Sequence, residues 1–416
     1  MEKSIGIVGA GIGGLHLALY LQKHGIQATV LTDRAPEQYA ATRLMNTVAH
    51  HGVTVARENE LGVNHWDDPE FVYHHHDHFF NFPGSPLLFR GAFKQPSRAV
   101  DYRIYLPALM KDFEDRGGAI EYASIQDDDI PALVSRFDLL VVSTGKGALG
   151  RMFSHRPELS PYNQPQRLLC VGLYDGVDHG SPQGGDPRGV TLSVSPGHGE
   201  MIVIPTLTFG GMKTALLMEN IPGGDLAELV SLNYDNDPSA FRQTLLDKLE
   251  THHPHTYDRI DTHRFDLAQP LDLLQGAVVP TVRRSSVGFD DGRLAIALGD
   301  VHSVVDPMMG QGANMASYAA FELGKAITEA VAFDDRFVET VDRARENRVL
   351  AAARWTNLML QPPSEAMGRL IVTMAQNRAL CDEFTDNFNY PERQWDRLAS
   401  DRRIHAWIDD RTRLAA

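Results

Sequence analysis

Cysteine is nearly absent. Cys170 and Cys381 are the only two in 416 residues, too few for a disulfide framework, so a reduced, cytoplasmic setting is expected. Positive charge is short as well. Lysine and arginine number 39 against 54 aspartates and glutamates, a net charge of -15, and the chain lacks the basic face that nucleic acid or an anionic membrane surface would need. No apolar run approaches the roughly 18–20 residues of a membrane span. The first strand starts so close to Met1 that no signal peptide is expected. Internal repeats, low-complexity tracts and a Gly-x-Ser-x-Gly nucleophile motif are missing too. With 43% hydrophobic and 22% charged residues, the chain can bury large cores, and its length suits two intertwined lobes with a helical tail.

What is present begins at Ile5. An apolar run (Ile5, Ile7, Val8) meets Gly9-Ala10-Gly11-Ile12-Gly13-Gly14, then a helical pattern with Ile12, Leu15 and Leu19 on one face. Gly25 ends that helix, and a second β-rich run, Thr29 to Leu31, stops at Thr32-Asp33-Arg34. Strand, glycine turn, helix and strand make the βαβ unit of a dinucleotide-binding domain. Gly9 permits the tight turn, Gly11 lets a pyrophosphate approach the backbone, and Gly14 lets helix and strand pack closely. The helix N-terminus offers free N–H groups and a partial positive charge to phosphate. Arg43 follows early enough to reach back toward the nucleotide.

Further on, Trp66 to Phe93 is dense in aromatics and histidines and reads as strands of a second lobe. Ser97 to Arg103 is read as opening a helix that runs to about Arg116, and Phe137 to Ser143 as a buried strand. Short β-rich runs recur between Leu168 and Val282, with a helix near Ala240 to Glu250. His252-His253 is read as a solvated helix end. Leu294 to Asp300 returns to the first fold as a strand, followed by a helix from about Ala313 to Ala332 and a mostly helical remainder.

A second motif, Leu298 to Ala316, carries chemistry. Asp300 at a strand end can accept from a sugar or ribityl hydroxyl. Pro307 to Gly312 makes a close-approach loop, and the helix from Ala313 aims its N-terminus at an electron-rich ring edge. With the N-terminal glycines, this resembles the FAD-binding pattern of the aromatic-hydroxylase class of flavoprotein monooxygenases. That class usually ends its second strand in Glu; Thr32 stands there, with Asp33 next. Single-component members carry Asp-Gly after the strand at 138–143, where this chain has Thr144-Gly145-Lys146, which argues against reduction of the flavin by NAD(P)H on this chain.

Longer motifs sharpen the likeness. RLMNTVAH (43–50), PSRAVDYR (96–103), GHGE (197–200), LQGAVVP (274–280), VDPMMGQGANMASYA (305–319) and DEFTDNFNYPERQWDR (382–397) resemble the oxygenase component of two-component styrene monooxygenases, from the first strand nearly to the C-terminus. The resemblance implies an α/β fold: a Rossmann-type FAD-binding domain (1–70, 98–167 and 276–335), an inserted mixed-sheet substrate domain (71–97 and 168–275) and a helical C-terminal region (336–416). It implies an epoxidase that takes reduced FAD from a separate NADH:FAD oxidoreductase and uses O2, by way of a flavin C4a-hydroperoxide, on a small aromatic alkene. A homodimer is expected, and no metal.

Under the same resemblance, Asn46, Pro307, Gly310 and Gln311 position the oxygenated flavin without acid or base chemistry. Gly9, Gly11, Gly14, Thr32, Asp33, Arg34, Arg43, Arg98, Asp300, Pro307, Gly310, Gly312, Ala313 and Asn314 hold the cofactor. Asn46, Val48, His50, Tyr73, His76 and Ser97 form the pocket of the styrene type, as against the indole type. Tyr73 and His76 are three apart, so a bulge is needed for both to face one pocket. The run His74 to His78 is read as pocket wall or polar surface rather than a metal site. Rival readings are an indole epoxidase, a single-component aromatic hydroxylase, a flavin-dependent halogenase, a plain NAD dehydrogenase and a non-catalytic flavin carrier. The halogenase signature Trp-x-Trp-x-Ile-Pro is absent, since no two of Trp66, Trp355, Trp395 and Trp407 are two apart, and a dehydrogenase would leave the Asp300 motif unexplained.

Overall fold

Strand Ser4–Val8, helix Ile12–Lys23 and strand Gln27–Thr32 form the βαβ unit, with Ile7 beside Val30 in a parallel pair. The computed structural model describes residues 3–180 and 188–415. The unit belongs to a six-stranded sheet whose spatial order is Ser286–Gly288, Leu294–Ala297, Leu139–Val142, Ser4–Val8, Gln27–Thr32 and Ala119–Tyr122. All neighbours run parallel except the first pair. Parallel strands are covered on both faces and therefore read as unbroken apolar runs. Leu139–Val142 is such a run, fully buried. Ile12–Lys23 and Gln311–Glu329 cover one face, and a cluster around Ile130, Leu133, Val134 and Phe153 covers the other.

A second, curled sheet mixes orientations. Its order is Asp266–Leu267, Leu168–Asp175, Gly211–Asn220, Gly199–Thr208, Val190–Ser195, Val72–Phe80, Leu87–Ala99 and Ala49–His50, with Leu273–Ala277 also paired to Leu168–Asp175. Only Val72–Phe80 with Val190–Ser195 is parallel. Alternation sorts its residues by face. Cys170 and Tyr174 pack under helix Pro238–His252, while Leu169, Val171 and Leu173 face the opposite cluster, which the C-terminal helices share. Those helices are Asp335–Met359, Glu365–Gln376, Arg378–Asp386, Pro391–Leu398 and Asp401–Ala415. The fold is α/β, with a mixed sheet and a helical C-terminal region. Among the described residues no helix is long and apolar enough to cross a membrane.

Three local expectations need correction. The helix expected from Ser97 starts at Tyr102, because 97–99 completes the strand Leu87–Ala99 and Asp101 caps the helix by accepting from Arg103 N at 2.9 Å. The helix expected from Ala313 starts at Gln311. His252 and His253 are buried, not solvated, because their helix ends against Val190–Ser195. Their Nδ1 atoms lie 2.9 Å from Ser195 Oγ and 2.7 Å from Ser193 Oγ. The predicted bulge is present: the pairing of Val72–Phe80 with Leu87–Ala99 shifts register between Tyr73 and His75.

Candidate active site

The carboxyl ends of the parallel strands open into a cavity of about 720 Å³ that continues to the concave face of the second sheet. In open α/β sheets ligands bind outside those strand ends. Gly9 sits at φ +111°, and a Cβ there would come within 2.4 Å of Ser143 O; a Cβ on Gly14 would come within 2.1 Å of Gly9 O. Gly11 differs. A Cβ there would meet only Ser143 O, at 4.0 Å, and otherwise project into open space. The helix that follows carries no acidic residue in its first turn, which leaves its amides free for phosphate. This cradle fits a dinucleotide pyrophosphate.

Thr32, Asp33 and Arg34 line the same cavity, with the Arg34 guanidinium 5.2 Å above the Tyr39 ring. At the far side Asp300 faces the cavity beside Gly312. Burial raises its pKa, and Lys146 on the turn after Val142 pulls it back. A half-buried carboxylate facing a cavity suits a hydroxyl-bearing ligand. We therefore expect Asp300→Ala to weaken flavin binding by about 1.5–3 kcal/mol, the range for hydrogen bonds to a charged group. The unliganded protein should melt no lower, and unchanged affinity in a fluorescence titration would move Asp300 out of the flavin site.

Between the two ends lies the loop Pro307–Met309, closed by Gly310 in the left-handed region at φ +59°. Pro307, Gly310, Gly312 and Ala313 line the cavity. Gln311 and Asn314 do not; they hold the loop from behind. Gln311 Nε2 donates to Met309 O (3.0 Å) and Phe388 O (3.2 Å). Asn314 Nδ2 donates to Gly310 O (2.7 Å) and Ala49 O (2.8 Å), and its Oδ1 accepts from His51 N (3.0 Å). Asn314 thus ties the loop to the segment before helix Gly52–Leu61.

The inner chamber is floored by Leu169, Val171, Ile202, Ile204 and Leu217 and walled by Asn46, Val48, His76, Met308 and Phe388. Three of the six expected pocket residues, Asn46, Val48 and His76, reach it. The other three stand one layer back. His50 points into the polar core, 2.6 Å from Glu58 Oε1 and 2.8 Å from Tyr102 Oη. Tyr73 is fully buried in the apolar cluster of the second sheet, and Ser97 Oγ is 3.2 Å from His51 Nδ1. Two arginines expected at the cofactor are also elsewhere. Arg98 is buried in an ion pair with Glu58, since its strand register turns it inward beside His50. Burial pushes the Glu58 carboxyl up, but His50 and Arg98 outweigh it and bring it down to about 2. Arg43 is half-exposed and paired with Asp235, because the chain at Leu44 is drawn to Leu271 O and away from the nucleotide end.

His51, which the sequence reading missed, lines the chamber instead. Among the described residues its Nε2 has no partner, and it is buried 4.0 Å from where a Cβ on Gly310 would stand. Burial, aided by His50, lowers its pKa to about 3, and burial with His78 and His51 lowers that of His76. Both imidazoles are therefore neutral near pH 7. Adjacent side chains on extended backbone face opposite ways; that rule, applied to His50-His51, was the available signal.

A glycine-rich cradle joined to an apolar chamber by a tight loop defines a flavoprotein of the monooxygenase and halogenase architecture. Solved structures agree in fold: the flavin-dependent brominase Bmp2 (15% identity, TM-score 0.69, 99% of this chain and 100% of that one) and the myxobacterial chondrochloren halogenase CndH (12%, 0.62, 94% and 96%). The family model of the styrene monooxygenase A substrate-binding domain matches residues 145–259. Relatives named styrene monooxygenase StyA are 51% identical over 415 residues in Pseudomonas fluorescens and 50% identical over 412 in a Pseudomonas species, covering 98% of each chain. The chain belongs to the styrene monooxygenase StyA family and is a flavin monooxygenase.

Proposed function

We propose that this chain epoxidises styrene to styrene oxide, using O2 and FAD that arrives already reduced from a separate NADH:FAD oxidoreductase. The observation that carries this reading is the apolar chamber opening directly off the dinucleotide cradle, with neutral side chains where it meets the loop at Pro307. The family relatives bear the styrene monooxygenase name. Bound reduced flavin would supply the two electrons that activate O2, one oxygen atom of which goes to the alkene and the other to water. The chain's own work is placement. Gly11 and the following helix N-terminus hold the pyrophosphate, Asp300 the hydroxylated chain, and the loop from Pro307 to Gly310 the ring edge. Leu169, Val171, Ile202, Ile204 and Leu217 hold the arene and exclude water, which would otherwise compete for the activated oxygen. Neutral His51 and His76 orient by hydrogen bonding and transfer no proton. The test is to mix the protein with chemically reduced FAD, O2 and styrene in the absence of any nicotinamide; failure to form styrene oxide sinks the proposal.

Indole is the second substrate to weigh, and one observation favours it. Asn46 Oδ1, His51 Nε2 and His76 Nδ1 are buried without partners among the described residues, so the chamber holds groups that can accept an indole N–H. A buried N–H left unpaired costs about 1–3 kcal/mol. His76→Phe is therefore expected to raise the ratio of styrene to indole specificity constants by roughly 5- to 150-fold. Val48, also in the wall, should shift the same ratio when enlarged, whereas Tyr73 should not. Both constants for parent and variants, measured with saturating reduced FAD, decide it; an unmoved ratio in His76→Phe would remove His76 from the substrate wall.

A further inference from the structure

Two carboxyl side chains meet behind the loop Pro307–Met309, both fully buried: Asp306 and Glu219. Asp306 Oδ1 accepts from Met308 N at 3.2 Å and so caps the loop's turn. Among the described residues Asp306 Oδ2 and both Glu219 oxygens receive no donor, and the two carboxyl groups lie close enough to act on one another. Carboxylate oxygens only accept, so two such groups can be bonded to each other only through a proton. Glu219 lies on strand Gly211–Asn220 beside Leu169 and two residues beyond Leu217, and both leucines floor the substrate chamber. Residues two apart share a sheet face. The pair therefore joins the chamber floor to the loop that lines the flavin end of the cavity.

Other charged groups facing the pair are few. Arg167 gives Nε and Nη2 to Glu200 at 2.7 and 2.9 Å. Glu200, on the neighbouring strand, faces Glu219, and Lys146, on the turn after Val142, faces Asp306. Arg167 draws the acids down, but it is already committed to Glu200.

We propose that Asp306 and Glu219 are positioning residues: sharing one proton, they latch the flavin-facing loop onto the floor of the substrate chamber, and loss of that proton releases the loop. Burial, then the nearby Asp306, holds the Glu219 acid well above the usual carboxyl range, and burial raises Asp306 as well. An acid raised in the folded state retains a proton that the unfolded chain has given up. Its stabilisation is complete below the unfolded value of about 4 and is lost as pH rises through the folded value. Both fold stability and flavin affinity should therefore decline on the alkaline side.

The inference rests on the flavin reading only for its second readout. Thermal midpoints of the unliganded parent, Glu219→Gln and Glu219→Ala would be followed between about pH 6 and about pH 9, above the ordinary carboxyl range, together with oxidised-FAD affinity by fluorescence. The parent should lose midpoint as pH rises, and lose affinity by up to about tenfold per pH unit, the limit for one linked proton. Glu219→Gln donates to Asp306 without titrating, so it should keep the parent's affinity at the acid end and lose the alkaline slope. Glu219→Ala should bind FAD more weakly throughout. A slope in Glu219→Gln equal to the parent's overturns the latch, as does parent-like affinity in Glu219→Ala. If Glu219→Ala does not fold, the glutamine variant decides alone. If the glutamine variant loses its midpoint slope while even the parent fails to bind FAD, the shared proton stands and the flavin reading falls.

Discussion

Gly11→Ala is expected to cost flavin affinity about 1–3 kcal/mol, the usual penalty for one inserted carbon in a close contact, while leaving the fold's thermal midpoint unchanged. Gly11 has φ -77° and ψ 178°, extended backbone that alanine adopts freely, and its Cβ would project into the open cavity. The methyl group therefore stands where a pyrophosphate must approach and disturbs nothing else. Gly14→Ala should behave differently and worse. Its Cβ would stand 2.1 Å from Gly9 O and 3.3 Å from an Ile7 methyl, so the helix must move off the strand. That displacement misaims the amides of the first helical turn, and both the midpoint and flavin binding should fall. The paired measurement is a melting curve and a flavin titration for each variant. Full flavin affinity in Gly11→Ala would place the pyrophosphate elsewhere; equal midpoints for the two variants would refute the packing argument for Gly14.

The contrast between those glycines marks what a sequence can disclose. Gly9, Gly11, Gly14, Asp300 and the run from Pro307 to Gly312 were legible because their constraints are local: a positive φ, a close backbone approach, a strand end. Their spacing alone dictates the turn, whatever packs around it. Side-chain direction on the second sheet was not legible in the same way. Whether His50 or His51 meets the chamber depends on how Ala49–His50 registers against Leu87–Ala99, a choice settled by partners far along the chain. Arg98 went astray for the same cause. A basic residue beside the expected pocket invites a cofactor role, yet Glu58, forty residues earlier, captures it in the core. Glu219 and Asp306 could not have been paired from the sequence at all, since nothing local in either segment signals a buried acid.

Purified protein mixed with FAD and NADH under air is expected to consume NADH no faster than the buffer, and to make styrene oxide only when reduced FAD or a flavin reductase is added. Two observations support this. The turn Thr144-Gly145-Lys146-Gly147 lines the cavity, and it stands where the resemblance to single-component hydroxylases would imply an Asp-Gly pair. Space argues the same way. A cavity of about 720 Å³ lies within the ~300–1,000 Å³ of ordinary ligand pockets, so FAD with a small arene is expected to fill it and leave a second dinucleotide unseated. Hydride transfer needs donor and acceptor held at about 3–3.5 Å, and losing that placement forfeits roughly 10⁵-fold or more in effective concentration. Reduction on this chain should therefore be slower by about that factor than in an enzyme that seats its nicotinamide. The assay follows NADH absorbance and epoxide together, with and without the reductase. Epoxide formed from NADH by the chain alone would show that the cavity admits a nicotinamide after all, and would overturn delivery of reduced FAD from outside. Epoxide appearing only with pre-reduced FAD would instead leave the reductase to set the supply, so that the rate should rise with reductase concentration until the chamber itself becomes limiting.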